Sequence, residues 1–223
     1  MQPAELLERI VSLLFPQRCV KCDDVVEYDD LLCENCTLER TGQVALGFYS
    51  PICGVVALTR YISDTRGMVL KIKTGERPQI YSFIADKMQS ELAQHWSDVH
   101  FDAIVPVPAT QGALLSRGFN HADRLAQSLS EISGIPAYPD ALRRAEGSQP
   151  QHALPRDKRE ANAEQSYEVG EPQAIFGKTV LLVDDIITTG YTAHVCATRL
   201  LDAGALRVYV LVAAATPSSE ATL

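Results

Sequence analysis

The sequence predicts an α/β fold in which a mostly parallel β-sheet is flanked by helices, with a small cysteine-bearing module at the amino-terminus. The apolar run 180–183 has the uninterrupted character of a strand buried on both faces. Apolar residues at 193, 196, 197, 200 and 201 then follow helical spacing, and this helix ends at Gly204. A further apolar run, 208–213, completes a βαβ unit. The 223 residues suffice for one domain with a small appendage, or for two small domains.

Apolar spacing and breaking residues predict the other elements in chain order. They are an amphipathic helix over 2–14 stopped by Pro16, an edge or early strand over 55–61, a short helix capped by Ser63 and Asp64, a long helix over 79–96, a strand over 103–108 that ends in two prolines, and a helix over 121–133. The stretch 41–54 is polar and carries glycines, which favours a junction. We therefore expect an amino-terminal helix and cysteine module at 1–54, a main domain at 55–215 and a disordered tail at 216–223.

The composition is typical of a globular protein in water, with 46% hydrophobic and 22% charged residues. No apolar run approaches the ~20 residues that cross a bilayer, so we expect no membrane insertion. The amino-terminus carries Glu5, Glu8 and Arg9 and lacks the layout of a secretory signal, which predicts a cytoplasmic protein. A net charge of −8 gives no global attraction to nucleic acid, so DNA would have to contact a local patch.

Two C-x-x-C pairs stand ten residues apart, at Cys19 and Cys22 and at Cys33 and Cys36. Each pair can present two thiolates from one turn, and two such turns can close a tetrahedral shell around structural Zn²⁺. Disulfides are the weaker interpretation in a cytosolic chain. A redox pair is weaker still, since that chemistry uses a single C-x-x-C beside a βαβ unit. Cys53 and Cys196 are single residues that free buried thiols explain.

Two carboxylates, Asp184 and Asp185, follow the run 180–183 and precede a polar loop. Hydroxyls, backbone N–H groups and a glycine at a helix amino-terminus form an anion-binding site. Adjacent carboxylates can each accept a hydrogen bond from a sugar hydroxyl, so the pattern indicates a ribose 5-phosphate ligand. Acid pairs at strand ends also occur as solvated loop starts or as magnesium sites of receiver domains. The expected phosphate loop consists of Ile187, Thr188, Thr189, Gly190, Tyr191 and Thr192.

A second anion site is predicted where the strand 103–108 ends. Pro108 fixes the exit of the chain after Val107, and Arg117 supplies a fork of donors for phosphate oxygens. Gly118 permits close approach of a ligand, and Asn120 precedes a helix whose backbone donors lie beside the loop. We interpret 109–119 as a loop rich in small residues.

Basic residues elsewhere allow two interpretations. Lys71 and Lys73 lie in the last turn of a helix, where they complement its dipole or reach a pyrophosphate. The segment 142–167 is either a mobile lid or surface helix over the site, or a solvated basic surface. Its candidate pyrophosphate or DNA contacts are Arg143, Arg144, Arg156 and Arg159.

The stretch from Val180 to Thr192 resembles the 5-phosphoribosyl 1-pyrophosphate (PRPP) motif of type I phosphoribosyltransferases, and matches it without a gap. The order of the C-x-x-C pairs, V-P-V-P, R-G-F-N, a pattern formed by Gln151, Leu154, Arg159 and Asn162, and V-D-D-I-I-T-T-G-Y-T resembles the ComF family. The resemblance covers Cys19 to about Ala214. It departs at His121, where glutamine is common, and at Gly112, Ala113 and Leu115, where the family has basic residues.

The resemblance implies a type I phosphoribosyltransferase-like fold with a zinc finger, PRPP as ligand together with Mg²⁺, and a role in natural competence. Asp184 and Asp185 would then hold the ribose hydroxyls, and the loop beyond them the 5-phosphate. Such a protein assists the uptake or handling of single-stranded DNA, with a competence helicase or another DNA-uptake protein as partner. Two functions follow: a PRPP-binding adaptor, or an active phosphoribosyltransferase that transfers phosphoribose to a nitrogen acceptor.

Overall fold

The computed structural model describes residues 17–26, 30–36, 40–44, 51–74, 78–145 and 166–216. The predicted helix 2–14, the end of the tail from 217, Arg156 and Arg159 lie outside the described residues, as does the side chain of Lys73. The strands are β1 Arg40–Gln43, β2 Gly54–Arg60, β3 Ala103–Pro106, β4 Leu142–Arg144, β5 Tyr167–Val169, β6 Thr179–Ile187 and β7 Arg207–Ala215. The helices are α1 Ser63–Thr74, α2 Gln79–His95, α3 Gln111–Arg117, α4 His121–Ser133, α5 Pro172–Ile175 and α6 Tyr191–Asp202.

Five strands form the main sheet in the order β1-β2-β7-β6-β3. The pairs β2–β7, β7–β6 and β6–β3 are parallel, and only β1 runs antiparallel to its neighbour within this sheet. The predicted α/β class with a mostly parallel sheet flanked by helices is therefore confirmed. The apolar runs that predicted it are the buried central strands, since every residue from Val180 to Val183 and from Val208 to Ala215 is buried.

Each face of the sheet packs against its own hydrophobic core. On one face, α2 and α4 place side chains such as Ile84 and Leu125 against Leu181 and Val183 of β6. On the other face, α6 packs with Cys196 and Leu200 against Val180 and Leu182. The alternation of β6 residues between the two cores follows from the two-residue period of a strand. Continued by two residues, this alternation places Asp184 on the α6 side of the sheet and Asp185 on the α2 side.

Three elements differ from the sequence prediction. Strand β2 comes early in the chain as expected but is not an edge strand, because Arg40–Gln43, at the start of the expected junction 41–54, pairs with its outer side. The predicted loop 109–119 contains the short helix α3, none of whose residues is buried. Strand β6 continues past the apolar run through Asp184 and Asp185 to Ile187, because the ladder with β7 extends to Ala215.

The ends of the predicted lid are joined. Strand β4 pairs with β5 in an antiparallel two-stranded sheet, with Leu142 opposite Val169 and Arg144 opposite Tyr167. The Ala145 N–H donates to the Ser166 carbonyl at 3.0 Å. Both ends of the segment are thus fixed side by side on the α6 face, where Leu142 and Tyr167 are buried.

Candidate functional site

A cavity of about 270 Å³ lies where β3 and β6 end. The carboxyl ends of neighbouring parallel strands are the usual ligand-binding edge of an α/β sheet. Its lining comes from the β3–α3 connection, α3, α4, β4, β5, β6 and α6, and includes Pro108, Arg117, Asn120, His121, Arg144, Tyr167, Asp184, Asp185 and Thr192. Candidate residues from both predicted anion sites therefore meet in one cavity.

The two carboxylates occupy the last part of β6. Asp184 Oδ1 accepts a hydrogen bond from the Asp185 N–H, and Asp185 Oδ1 accepts one from the Ile186 N–H, each at 2.8 Å. These bonds fix both side chains against their own backbone, so their orientation does not depend on a ligand. Both residues are half-buried and line the cavity.

The carboxylates act on opposite sides of the sheet. On the α6 side, burial and then the Asp184 carboxylate raise the pKa of the Cys196 thiol, while Arg144 opposes them. On the α2 side, burial raises the pKa of Tyr81, the Asp185 carboxylate adds to that effect, and Arg124 opposes it. Asp184 therefore lies near Cys196 of α6, and Asp185 lies near Tyr81 of α2.

The loop after β6 leads directly into α6. Gly190 is buried, has a φ of 79° and caps the helix without a side-chain hydrogen bond. The first turn of α6 and the preceding loop line a small cavity of about 50 Å³, which includes Thr188, Thr189, Gly190, Tyr191 and Thr192. Backbone N–H groups at a helix amino-terminus, with threonine hydroxyls beside them, suit a phosphate group. Asp184 and Thr192 line this cavity and the larger one, so the two are adjacent.

The second predicted loop is built by α3 and the first residues of α4. Thr110 Oγ1 accepts from the Ala113 N–H and begins α3, and Gly118, with a φ of 81°, ends it. Asn120 Nδ2 donates to the Val107 carbonyl at 3.0 Å, while its Oδ1 accepts from the Ala122 N–H. Asn120 therefore ties α4 to the end of β3, and Arg117 is the member of this loop that carries a charge to the cavity.

Arg144 reaches the cavity from β4, at the start of the segment 142–167. Its guanidinium stacks on the Tyr167 ring, with Cζ 4.5 Å from the ring centroid. Its Nε and one terminal nitrogen are buried and have no hydrogen-bond partner among the described residues. Because a buried guanidinium donor normally has a partner, this pair of donors is suited to an anionic ligand in the cavity beside Asp184.

The other basic candidates lie elsewhere. Arg143 is exposed and forms an ion pair with Glu168 at 2.8 Å. Lys71 Nζ donates to the Cys19 carbonyl at 3.1 Å and to Asp23 Oδ1 at 2.9 Å. Lys71 therefore binds the cysteine module and does not line the cavity that contains Asp184.

The four cysteines of the two C-x-x-C pairs form one cluster. The Sγ atoms of Cys19, Cys22, Cys33 and Cys36 all lie within 4.8 Å of one another, and Cys22 and Cys33 are 3.6 Å apart. Tetrahedral zinc with Zn–S bonds of about 2.3 Å requires sulfur atoms about 3.8 Å apart, so the cluster fits this ion. Burial opposes ionisation of Cys19, but backbone N–H groups of Cys22, Cys33 and Lys21 lower its pKa to about 6. A thiolate is the form that binds metal.

The cysteine module packs on the main domain. Val20, between the first two ligands, is fully buried in the same core as Leu58 and Met68. A Cβ added at Gly67 of α1 would lie 3.4 Å from the Lys21 carbonyl, which shows how closely the two parts approach. Together with the Lys71 contacts, this packing joins the module to α1.

A larger cavity of about 490 Å³ opens near the amino end of β3, at the ends of α2 and α4. Its lining includes Trp96, Phe101, Asp102 and Ser133. Asp102 already accepts from the Thr179 N–H at 2.9 Å and lies 3.5 Å from His100. The smaller cavity is the candidate site because it collects two carboxylates and two arginines.

Sequence reasoning did not assign His121 and Tyr167 to the site. His121 is 5% exposed, and its ring nitrogens lie 3.1 Å from the Tyr81 hydroxyl and 3.1 Å from an Arg117 nitrogen. Its position one residue after R-G-F-N, where the family has glutamine, was the available signal. Tyr167 had none, because it stands at the end of a segment without periodicity.

Among the described helices, none has the length and apolarity needed to span a lipid bilayer.

Comparison with known proteins gives two named groups of sequence relatives. The DNA utilization protein YhgH of Escherichia coli K12 is 28% identical over 200 residues, which cover 86% of this chain and 87% of that protein. Competence protein F of Haemophilus influenzae is 34% identical over 94 residues, which cover 42% of this chain and 41% of that protein. No protein-family model matches the chain.

Solved structures also resemble the chain. The allosteric regulatory enzyme of purine biosynthesis has a TM-score of 0.44 and 23% identity, and the match covers 65% of this chain but only 30% of that enzyme. An adenine phosphoribosyltransferase has a TM-score of 0.41 and 18% identity, with 64% of this chain and 73% of that chain covered. The resemblance to the ComF family that the motifs predicted is confirmed by the sequence relatives, the DNA utilization protein YhgH and competence protein F.

Proposed function

We propose that the chain is a PRPP-binding protein that serves DNA utilisation or competence. The observation that carries the proposal is the convergence of Asp184, Asp185, Arg117 and Arg144 on one cavity beside the loop 187–192. PRPP carries a 5-phosphate, two ribose hydroxyls and a pyrophosphate, and each of these groups finds a partner of the right chemistry. The relatives' names support the cellular role.

In this proposal the carboxylates bind the middle of the ligand, and its two phosphate-bearing ends lie on either side of them. Asp184 and Asp185 accept hydrogen bonds from the ribose hydroxyls, and the small cavity at the start of α6 takes the 5-phosphate. The pyrophosphate then lies toward α3, within reach of Arg117 and of Arg144. Carboxylate oxygens are the ligands that Mg²⁺ prefers, so Asp184 and Asp185 would hold this ion with PRPP, where it would neutralise pyrophosphate charge.

Asp184→Asn and Asp185→Asn are each expected to weaken PRPP binding ten- to a hundredfold. Losing a charge-assisted hydrogen bond where water is largely excluded costs about 1.5–3 kcal/mol, which corresponds to that range. An asparagine oxygen can still accept the backbone N–H that each aspartate accepts, so the loop keeps its conformation. Isothermal titration with PRPP and Mg²⁺ measures the effect.

Asp86→Asn is the matched control for these variants, because Asp86 is an exposed residue of α2 that pairs with Lys87. It should bind PRPP as the parent does. If Asp184→Asn and Asp185→Asn also bind PRPP like the parent, the cavity is not the PRPP site.

An active phosphoribosyltransferase is the second candidate, favoured by the same cavity. In that reaction the bond between the ribose and pyrophosphate breaks as the acceptor nitrogen forms its bond, and positive charge develops on the ribose. Asp184 and Asp185 would hold the ring, and Arg117 and Arg144 would stabilise the departing pyrophosphate. Release of pyrophosphate on incubation with PRPP, Mg²⁺ and a panel of bases would establish transfer. Binding without release would establish the adaptor.

Single-stranded DNA binding is proposed from the relatives' names and from the basic strand β4. DNA is expected to bind weakly and to lose affinity steeply as salt rises, because the protein is acidic outside any local patch. Arg143→Ala should reduce the salt slope by about 0.7, the value for one contact with a single strand. Arg66→Ala, an exposed arginine of α1, removes the same charge elsewhere and should leave the slope unchanged. An unchanged slope in Arg143→Ala, measured by fluorescence anisotropy, would place the DNA contact outside β4.

A further inference from the structure

His121 is the meeting point of three helices beside the cavity. Tyr81 from α2 places its hydroxyl 3.1 Å from His121 Nδ1. Arg117, the last residue of α3, places a guanidinium nitrogen 3.1 Å from His121 Nε2. His121 itself begins α4 and is 5% exposed. Its ring is thus held on both nitrogens, by Tyr81 from 40 residues earlier and by Arg117 from the preceding helix.

The Arg117 contact determines the protonation of this ring. A guanidinium has only donors and stays charged in proteins, so Nε2 must accept its hydrogen bond. The proton of the neutral imidazole then lies on Nδ1 and points to the Tyr81 oxygen, which accepts it. A doubly protonated ring would place an N–H against the Arg117 N–H, and the contact would be lost.

Further aromatic and charged groups surround this ring. Arg124 of the same helix stacks on Phe119, with Cζ 3.7 Å from the ring centroid, and lies 5.6 Å from the Tyr81 ring centroid. Phe119 in turn meets the His121 ring edge-on at 4.9 Å. Burial is the main cause that raises the pKa of Tyr81, and the Asp185 carboxylate of β6 raises it further. Asp184 and Arg144 line the same cavity as His121.

Arg117 needs such a partner because of where it stands. It is an exposed side chain at the end of a seven-residue helix, followed by Gly118 in the left-handed region. A free arginine there would sample many rotamers and lose that freedom when it binds a phosphate. A neutral acceptor at a fixed distance holds the guanidinium at the cavity and leaves its remaining donors for a ligand.

We propose that His121 is a positioning residue that, as the neutral tautomer with its proton on Nδ1 toward Tyr81, holds Arg117 toward the pyrophosphate of the bound ligand. This role rests on the proposed PRPP binding.

A double-mutant cycle tests the proposal. His121→Leu keeps the apolar volume and removes the acceptor, and it should weaken PRPP up to about tenfold, the factor associated with ordering one long side chain. Ribose 5-phosphate, which lacks the pyrophosphate, should bind as it does to the parent. In an Arg117→Ala background the same change should have no further effect, because the residue acts through Arg117.

Glutamine is the rescue variant. The Oε1 of His121→Gln can stand near the position of Nε2 and accept from Arg117, so this variant should keep most of the affinity that His121→Leu loses. A long-range ¹H–¹⁵N correlation spectrum of the ligand-free protein reads the tautomer directly, and should show the proton on Nδ1.

The outcomes separate the two proposals. If the parent does not bind PRPP with Mg²⁺, the proposed function fails and the positioning role fails with it. If the parent binds PRPP but His121→Leu binds it equally well, or weakens it equally in the Arg117→Ala background, only the role of His121 is overturned. A proton found on Nε2 would also overturn it.

Discussion

Gly190→Val is expected to abolish binding of both PRPP and ribose 5-phosphate. Gly190 has a φ of 79°, in the left-handed region that a β-branched residue avoids. It is also buried and lines the small cavity at the start of α6, where a valine side chain would occupy the space of the phosphate. The affinity for either ligand should fall by more than about a hundredfold, below what calorimetry detects.

Loss of both ligands distinguishes this change from Arg117→Ala, which should weaken PRPP alone. Gly112→Val is the matched control, because a Cβ at Gly112 of α3 meets no atom within 4 Å. Circular dichroism should show that Gly190→Val still folds. If a folded Gly190→Val protein binds ribose 5-phosphate like the parent, the phosphate lies elsewhere.

Cys33→Ser is expected to release the metal and to lower the stability of the whole described domain. The parent should contain about one zinc ion per chain, the stoichiometry of a four-cysteine site. A metal bound to the four cysteines would fix the turn that carries Val20, and Val20 is fully buried against Leu58 and Met68 of the main core. Losing the burial of one such side chain costs about 1.5–3 kcal/mol.

For a chain of this length that loss should lower the unfolding temperature by roughly 5 °C. Elemental analysis and a thermal melt measure the two effects. Cys53→Ser is the control, because Cys53 lies outside the cluster and is exposed, which corrects the expectation that it is buried, as Cys196 is. A Cys33→Ser protein that keeps its metal, or that melts at the parent temperature, would contradict the prediction.

The central part of the fold could be predicted because buried parallel strands are continuous apolar runs. The runs 180–183 and 208–213 lie in β6 and β7, and the helical spacing from Ala193 to Leu201 lies in α6. The full length of β6 could not be predicted, because its last residues include two charged side chains. They stay in the strand because β7 continues beside them to Ala215.

The short elements could not be predicted from the sequence, and the reason is physical. Helix α3 has seven residues and buries none of them, so it leaves no apolar period. Strands β4 and β5 have three residues each, and their pairing brings Arg144 onto Tyr167. A contact between Tyr81 and His121 joins positions 40 residues apart, and only the packing of α2 on α4 creates it.

The prolines that shape the exit from β3 also affect how molecules of this protein meet in concentrated solution. β3 is an edge strand, and an exposed edge can recruit a strand from another molecule. Ile104 already uses its outward N–H and carbonyl to bond with Pro136 and Tyr138. The next outward position is Pro106, which has no N–H to offer. The same short strand that carries the chain to the cavity therefore protects its own edge of the sheet from edge-to-edge aggregation.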